Sequence, residues 1–283
     1  MRGGTSKGVF FRAADLPGDT AERDRVLLRT IGSPDPYGKQ IDGMGAATSS
    51  TSKIVIEFLE PGGMGAEGGE SSAMFPTGNL RDRLDVPGLG AMEVTLITAG
   101  NPTVFVDAAA MGIEGTELAG AVDGNPELLA RCESIRAHGA VAMGLAKSAE
   151  EASRSRLHTP KIAMVAAPRS YTASTGRRID AGDMDLTIRM LSMGKLHHVI
   201  TGTGAIATAV ASAIDGTIAN GVRRAGADPL RTRLGHPSGI LAVGAEVAHD
   251  RGEWKVARAV MSRSARRLME GWIRVPTMER KQT

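Results

Sequence analysis

The stretch from Met193 to Ile214, MGKLHHVITGTGAIATAVASAI, joins a glycine hinge to a run of small apolar residues. At its centre stands Gly202-Thr203-Gly204. Glycine on either side of a hydroxyl residue lets backbone approach a ligand closely, and the alanine-rich run Ala205 to Ala213 is a strong helix former. The spacing predicts a helix that begins near Thr203. The unpaired amides of its first turn, at the positive end of the helix dipole, make a site for a carboxylate or phosphate. Ala205, Ile206, Ala207, Ala209, Val210, Ala211, Ala213 and Ile214 cover every side of the wheel, interrupted only by Thr208 and Ser212. Such a helix is expected to be surrounded by other structure. A glycine-capped core helix with no ligand fits the same residues.

A chain of 283 residues can bury a sizeable core, as one large domain or, as expected here, two modest ones. Hydrophobic residues at 42% and charged residues at 23% argue against general disorder. With only 3% aromatic residues, the core must be built from Ala, Val, Ile, Leu and the 14 methionines, and 36 glycines imply many tight turns. The net charge of +3 reflects a small excess of arginine without a basic tract and by itself says little about nucleic acid. Arg263, Arg266 and Arg267 fit a solvated face or a helix feeding a carboxylate site better than a nucleic-acid patch, for want of interleaved aromatics, and no nucleic-acid partner is expected. A single cysteine, Cys132, excludes an intrachain disulfide framework and a zinc site of several thiolates, and suits a reducing compartment. The first residues show no apolar signal core, and no run approaches the ~18 apolar residues of a membrane span. A soluble, cytoplasmic protein that does not enter a membrane is expected.

Ahead of the central stretch, MRGGTSKGVFF (1–11) sets a hydroxyl-rich basic loop before a strand-like run at Val9 to Phe11. Asp24 to Ile31 reads as a short helix, and the loop Gly43 to Lys53 leads into a strand at Ile54-Val55-Ile56. Lys53 therefore sits at a loop-strand junction, where a solvated lysine and a functional one are both open; burial beside other cations would lower its pKa. Pro61 to Glu70 reads as a flexible glycine-rich loop, closed by a turn at Met74 to Gly78. Two strands are expected in Met92 to Val106, around the turn Gly100-Asn101-Pro102, then a helix within Pro126 to Leu145 and a strand at Ile162 to Ala167. Cys132 falls on the apolar face of that helix and is expected to be a packed core thiol. Asp185 to Met193 reads as a helix and RLGHPSG (233–239) as a tight turn. Ile240 to Val247, Trp254 to Val260 and Trp272 to Val275 read as strands, with a helical pattern at Ser262 to Glu270. Strands outnumber helices, and the order suggests antiparallel sheets wrapped around isolated helices.

His197, His198 and His236 invite a metal or acid-base reading. Adjacent histidines cannot share one helix face, and no His-x-x-x-His spacing or carboxylate cluster supplies a third ligand, so no metal is expected. No Gly-x-Ser-x-Gly nucleophile elbow occurs.

MRGGTSKGVFF, GSPDPYGKQIDGMGAATSSTSK, MFPTGN, the block from SMGKLHH to GTGA, GHPSG and MSRSARRLMEGWIRVP together resemble the PrpF family, the 2-methylaconitate cis-trans isomerases of the methylcitrate pathway of propionate catabolism. Relatives of that family include 4-oxalomesaconate tautomerase. The resemblance runs through most of the chain. It implies an α+β fold of two pseudo-symmetric, diaminopimelate epimerase-like domains, each of mostly antiparallel strands around a central helix. The domains would be 1–92 plus 260–283, and 93–259. It further implies an isomerase, or a 4-oxalomesaconate-type tautomerase, of a small-molecule tricarboxylate, working without a cofactor. A homo-oligomer is a further expectation.

By the same resemblance, Lys53 matches the family's proposed acid-base lysine, and Arg2, Gly3 and Ser50 belong to loops that line the site. Gly202, Thr203 and Gly204 would hold a substrate carboxylate and stabilise charge that develops on deprotonation. Lysine chemistry at neutral pH needs a depressed pKa, which Arg2 or Lys7 and closure of the site would supply. One departure stands out. The family carries, after the strand that begins at Lys53, a block with a Cys-Gly-Asn motif at the start of the first domain's central helix. Here Ile56-Glu57-Phe58 passes into a much later strand, so the first domain is expected to be incomplete and to lack the family's proposed catalytic cysteine. Cys132 lies in a different motif and does not inherit that role. A non-catalytic, carboxylate-binding remnant is the alternative.

Overall fold

Runs of β-branched and apolar residues extend into strands, and the small-residue run coils into the helix that they wrap. The computed structural model describes residues 2–3, 6–7, 11–30, 52–62, 73–250 and 252–265. Two units are distinguished, 1–54 with 263–283, and 55–262. In the first, β1 (Arg2–Gly3) pairs antiparallel with β2 (Ser6–Lys7). Its helix α1 (Thr20–Thr30) starts earlier than the sequence reading, because the Asp19 carboxylate accepts from the Glu22 amide at 2.8 Å and caps the first turn. Ser50, the strand at Val9 to Phe11 apart from Phe11, and the strand at Trp272 to Val275 lie outside the described residues.

The second unit is built on one long mixed sheet. Its strands are β3 (Ser52–Leu59, from Val55 on), β4 (Asp82–Val86), β5 (Gly90–Ala99), β6 (Asn101–Asp107), β7 (Lys161–Ala166), β10 (Leu186–Ser192), β11 (Lys195–Leu196), β12 (Thr232–His236), β13 (Gly239–Asp250) and β14 (Glu253–Ala265). A separate small ribbon pairs β8 (Tyr171–Thr172) with β9 (Arg178–Ile179). The main order is β3-β14-β13-β12-β10-β7-β6-β5-β4, with β11 folded back on β10. Pairing is mostly antiparallel; β6 with β7 and β10 with β12 run parallel. The helices are α2 (Ala119–Asp123), α3 (Pro126–Ala142), α4 (Ala149–Ser155), α5 (Gly202–Ala213) and α6 (Ile218–Val222).

Among the described residues the two largest apolar cores lie one on each face of the sheet. One gathers Ile97, Phe105, Ala163, Val165, Ile188 and Met190 with α5. The other gathers Leu96, Val104, Ile162, Met164 and Leu191 with Leu128, Cys132 and Ile135 of α3. Alternation along β5, β6, β7 and β10 sends successive side chains to opposite cores, as a pleated strand covered on both faces requires. The helix expected to be surrounded is so: every residue from Gly204 to Ser212 is buried. Its two buried hydroxyls are satisfied within it, Thr208 donating to the Gly204 carbonyl at 2.7 Å and Ser212 to that of Ala209 at 3.0 Å. The fold is α+β, with mostly antiparallel strands around a central helix.

Three local expectations need correction. Asp185 to Met193 is not a helix; Leu186–Ser192 is the strand β10, paired with β7, β11 and β12. Its polar positions 185, 189 and 192 mimic a helical spacing, but Asp185 and Arg189 are buried and partnered by distant groups. RLGHPSG is not all turn, because Thr232–His236 is a strand and only the step to Gly239, across from His236, reverses the chain. The helical pattern from Ser262 fails over 262–265, which continue β14; residues 266–270 lie outside the described residues.

Candidate functional site

The first turn of α5 is where backbone chemistry is left unused. Thr201 is its N-cap, with its hydroxyl accepting from the Gly204 amide at 3.1 Å and its carbonyl from the Ala205 amide at 2.8 Å. The helix thus starts at Gly202, one residue before the sequence placed it. The amides of half-buried Gly202 and exposed Thr203 have no acceptor among the described residues, and they sit at the positive end of the dipole. Gly204 is required by packing: a Cβ there would lie 2.3 Å from Met190 Sδ and 2.5 Å from Thr201 Oγ1. The β5–β6 turn closes on the same place. Gly100, at φ +71, comes so near that a Cβ on it would lie 3.2 Å from the Thr203 carbonyl oxygen.

The segment that leads into this turn is tied to the loop of the GHPSG motif. Ser238 donates its hydroxyl to the His198 carbonyl, and its amide donates to His236 Nδ1 at 3.2 Å. Tyr171 clamps the loop by donating to the carbonyls of His236 (2.5 Å) and Gly239 (2.9 Å). His197 and His198 stack with ring centroids 5.1 Å apart, and His197 Nδ1 accepts from the Val199 amide at 3.3 Å. These nitrogens shape backbone. Among the described residues no three His, Cys, Asp or Glu side chains cluster as metal ligands.

Cys132 is a core thiol, 1% exposed and 3.8 Å from Met164 Sδ. Burial pushes its pKa up to about 12, against a smaller lowering by Arg131, so no thiolate is available near neutral pH. Sequence reasoning missed a polar pair on the face that packs α5. Lys161 Nζ donates to Ser192 Oγ at 2.8 Å, and burial, with the nearby Arg136 charge, lowers the lysine's pKa. The available signal was a lysine opening an otherwise apolar strand; its serine stands 31 residues further along the chain.

Of the site residues expected from sequence, Gly202, Thr203 and Gly204 come together on one helical turn of the second unit. Arg2 and Gly3 form β1 and Lys53 lies in β3, all within the first unit. The side chains of Arg2 and Lys53, like Ser50, lie outside the described residues.

The described residues form an α+β fold, a mixed sheet around a buried helix whose first two amides have no acceptor among the described residues; comparison with known proteins supplies the family. The sequence model described as "PrpF protein" matches residues 1–63 and 54–276. This chain belongs to the PrpF family. It is 41% identical to "2-methyl-aconitate isomerase" of Shewanella oneidensis, covering 98% of this chain and 96% of that one. It is 30% identical to "3-methylitaconate isomerase" of Eubacterium barkeri, covering 97% and 96%. A crystal structure of "Methylitaconate-delta-isomerase" superposes with a TM-score of 0.69 at 28% identity, over 96% of this chain and 93% of that one.

The Shewanella alignment runs over 384 positions, whereas this chain has 283 residues, so at least 384 − 283 = 101 positions carry no residue here. The two family matches meet in the overlap 54–63. That is where the sequence placed the missing block.

Proposed function

We propose that the protein is a cofactor-independent isomerase of unsaturated tricarboxylates, with 2-methylaconitate as substrate. The identity of 41% to a 2-methyl-aconitate isomerase is the observation that carries this reading. The Gly202 and Thr203 amides, which have no acceptor among the described residues, support it, since they offer a substrate carboxylate fixed donors in place of water. Lys53 is assigned the proton transfer. It removes a proton from the carbon activated by the neighbouring unsaturation; the electron pair spreads into a dienolate ending on a carboxylate, and the former double bond rotates before a proton returns. Negative charge grows on that carboxylate as the proton leaves, so donors held by a helix terminus stabilise the dienolate more than the substrate. Arg2, Gly3 and Ser50 are assigned to substrate binding with Gly202 and Thr203; Gly204, whose amide is taken by the Thr201 hydroxyl, shapes the turn and does not donate to the substrate.

A cytoplasmic location, a small-molecule partner and no nucleic acid belong to the same reading. So does a homo-oligomer: Val55 at 60% and Leu59 at 72% exposure leave an apolar edge on β3, the end strand of the sheet among the described residues, for a second copy to cover.

One observation favours a second reading. At least 101 aligned positions carry no residue in this chain, and if the block expected to hold the partner cysteine is among them, the chain binds carboxylates without turnover. Deuterium uptake into 2-methylaconitate in D₂O, followed by NMR on a chain of verified intact mass, separates the two. Slow uptake is expected from the wild type and none from Lys53→Gln, since a general acid-base group contributes ~10²–10⁴-fold. Aconitate binding without uptake selects the second reading, and uptake unchanged in the variant removes Lys53 as base.

A further inference from the structure

β7 and β10 pair antiparallel, with Met190 opposite Ala163 and Leu191 opposite Ile162, so Ser192 comes next to Lys161. Side chains alternate along both strands. Ala163 and Val165 on one strand and Ile188 and Met190 on the other face α5, which puts Lys161 and Ser192 on that same face, one step beyond the apolar core. Met190 marks how near that step is to the start of the helix. Its sulfur lies 3.3 Å from Thr201 Oγ1, and Ser192 follows it on the same face, about 7 Å along the strand. The β5–β6 turn confirms which end of the sheet this is. Gly100 packs on Thr203, and Thr103, just after it, pairs with Lys161.

Lys161 is 8% exposed, and Ser192 Oγ is the acceptor it has among the described residues, where no carboxylate pairs with it. The nearby cation, Arg136, is itself occupied by both Glu133 oxygens and by the carbonyls of Ala152, Arg156 and Thr159. A buried ammonium without an anion is costly, and it keeps two N–H donors for another acceptor. The helix end supplies only about half a unit of positive charge, whereas a carboxylate carries a whole negative one.

We propose that Lys161 and Ser192 complete a substrate carboxylate seat with the Gly202 and Thr203 amides, Lys161 supplying its full positive charge. This rests on the tricarboxylate reading above. In this seat the ligand's carboxylate accepts from Lys161 Nζ, which also donates to Ser192 Oγ. Such a seat trades stability of the free protein for binding, because the buried charge is compensated only when a ligand is present.

Calorimetric titration of the full 283-residue chain with trans-aconitate tests this, alongside thermal melting of the free proteins. Lys161→Met is expected to weaken binding by about 10–100-fold while the free variant melts at the same temperature or higher. Ser192→Ala, a smaller change, is expected to weaken binding by about 3–10-fold. If the wild type binds and both variants bind equally well, the seat is wrong and the tricarboxylate reading stands. Weaker binding accompanied by a fall in melting temperature of the free Lys161→Met protein overturns the seat too, making the lysine part of the framework. No aconitate binding by the wild type overturns the underlying reading, and the seat with it.

Discussion

Asp185 holds the edge of the site's own strand, and it shows why a single residue can mislead a sequence reading. Its carboxylate is 3% exposed and accepts from Arg233 three times, from the amide at 2.7 Å, from Nε at 3.1 Å and from Nη2 at 2.6 Å. Burial alone would raise its pKa; the hydrogen bonds from Arg233, with the Arg233 and Arg224 charges, outweigh it and hold the carboxyl below its ordinary value. A depressed folded pKa gives stability that is present above the unfolded value of about 4 and is lost as pH falls through the folded one. Asp185→Asn should therefore cost about 2–4 kcal/mol at pH 7, and clearly less at pH 3, in urea denaturation. An equal cost at both pH values would contradict the pairing. None of this was legible from the chain, because the partner stands 48 residues away. Arg189 is a parallel case: its Nε donates to the Glu117 carbonyl at 2.5 Å, 72 residues away. Polar residues satisfied at such range look, in sequence, like the exposed stripe of a helix.

At the scale of elements, α5 was legible and β10 was not, for one physical reason. Small apolar residues on every side of a helix can only mean burial, so composition alone placed α5. A strand covered on both faces loses its period-two alternation, so β10 carried no strand signal. The packing between these two elements depends on Gly204, whose missing side chain lets Met190 under the first turn. Gly204→Ala forces Met190 and Thr201 to move and should destabilise the protein by about 1–3 kcal/mol, despite alanine's better helix propensity. It should also disturb the turn that presents the Gly202 and Thr203 amides. A variant as stable as the wild type would show that Met190 has room to give way. The two hydroxyls that interrupt the apolar wheel, Thr208 and Ser212, donate to carbonyls of their own helix.

For the whole molecule, the motifs identified the family because they are long and unusual, and the break in them was equally legible. Ile56-Glu57-Phe58 running into a distant strand falls within 54–63, where the two family matches overlap. Among the described residues, the sheet of the second unit runs unbroken from β3 to β4, with α5 packed against one face. Its carboxylate seat should therefore survive even if turnover is crippled. What the sequence did not offer was Lys161, since a lysine opening a strand is ordinary until its partner and burial are known. The central claim is that the start of α5 takes a substrate carboxylate on the free amides of Gly202 and Thr203. Its most direct measurement is a titration of the ¹⁵N-labelled 283-residue chain with trans-aconitate, read at each backbone amide by NMR. The expected result is saturable shifts largest at Gly202 and Thr203; no binding, or saturable binding that leaves those two amides unmoved, would contradict it.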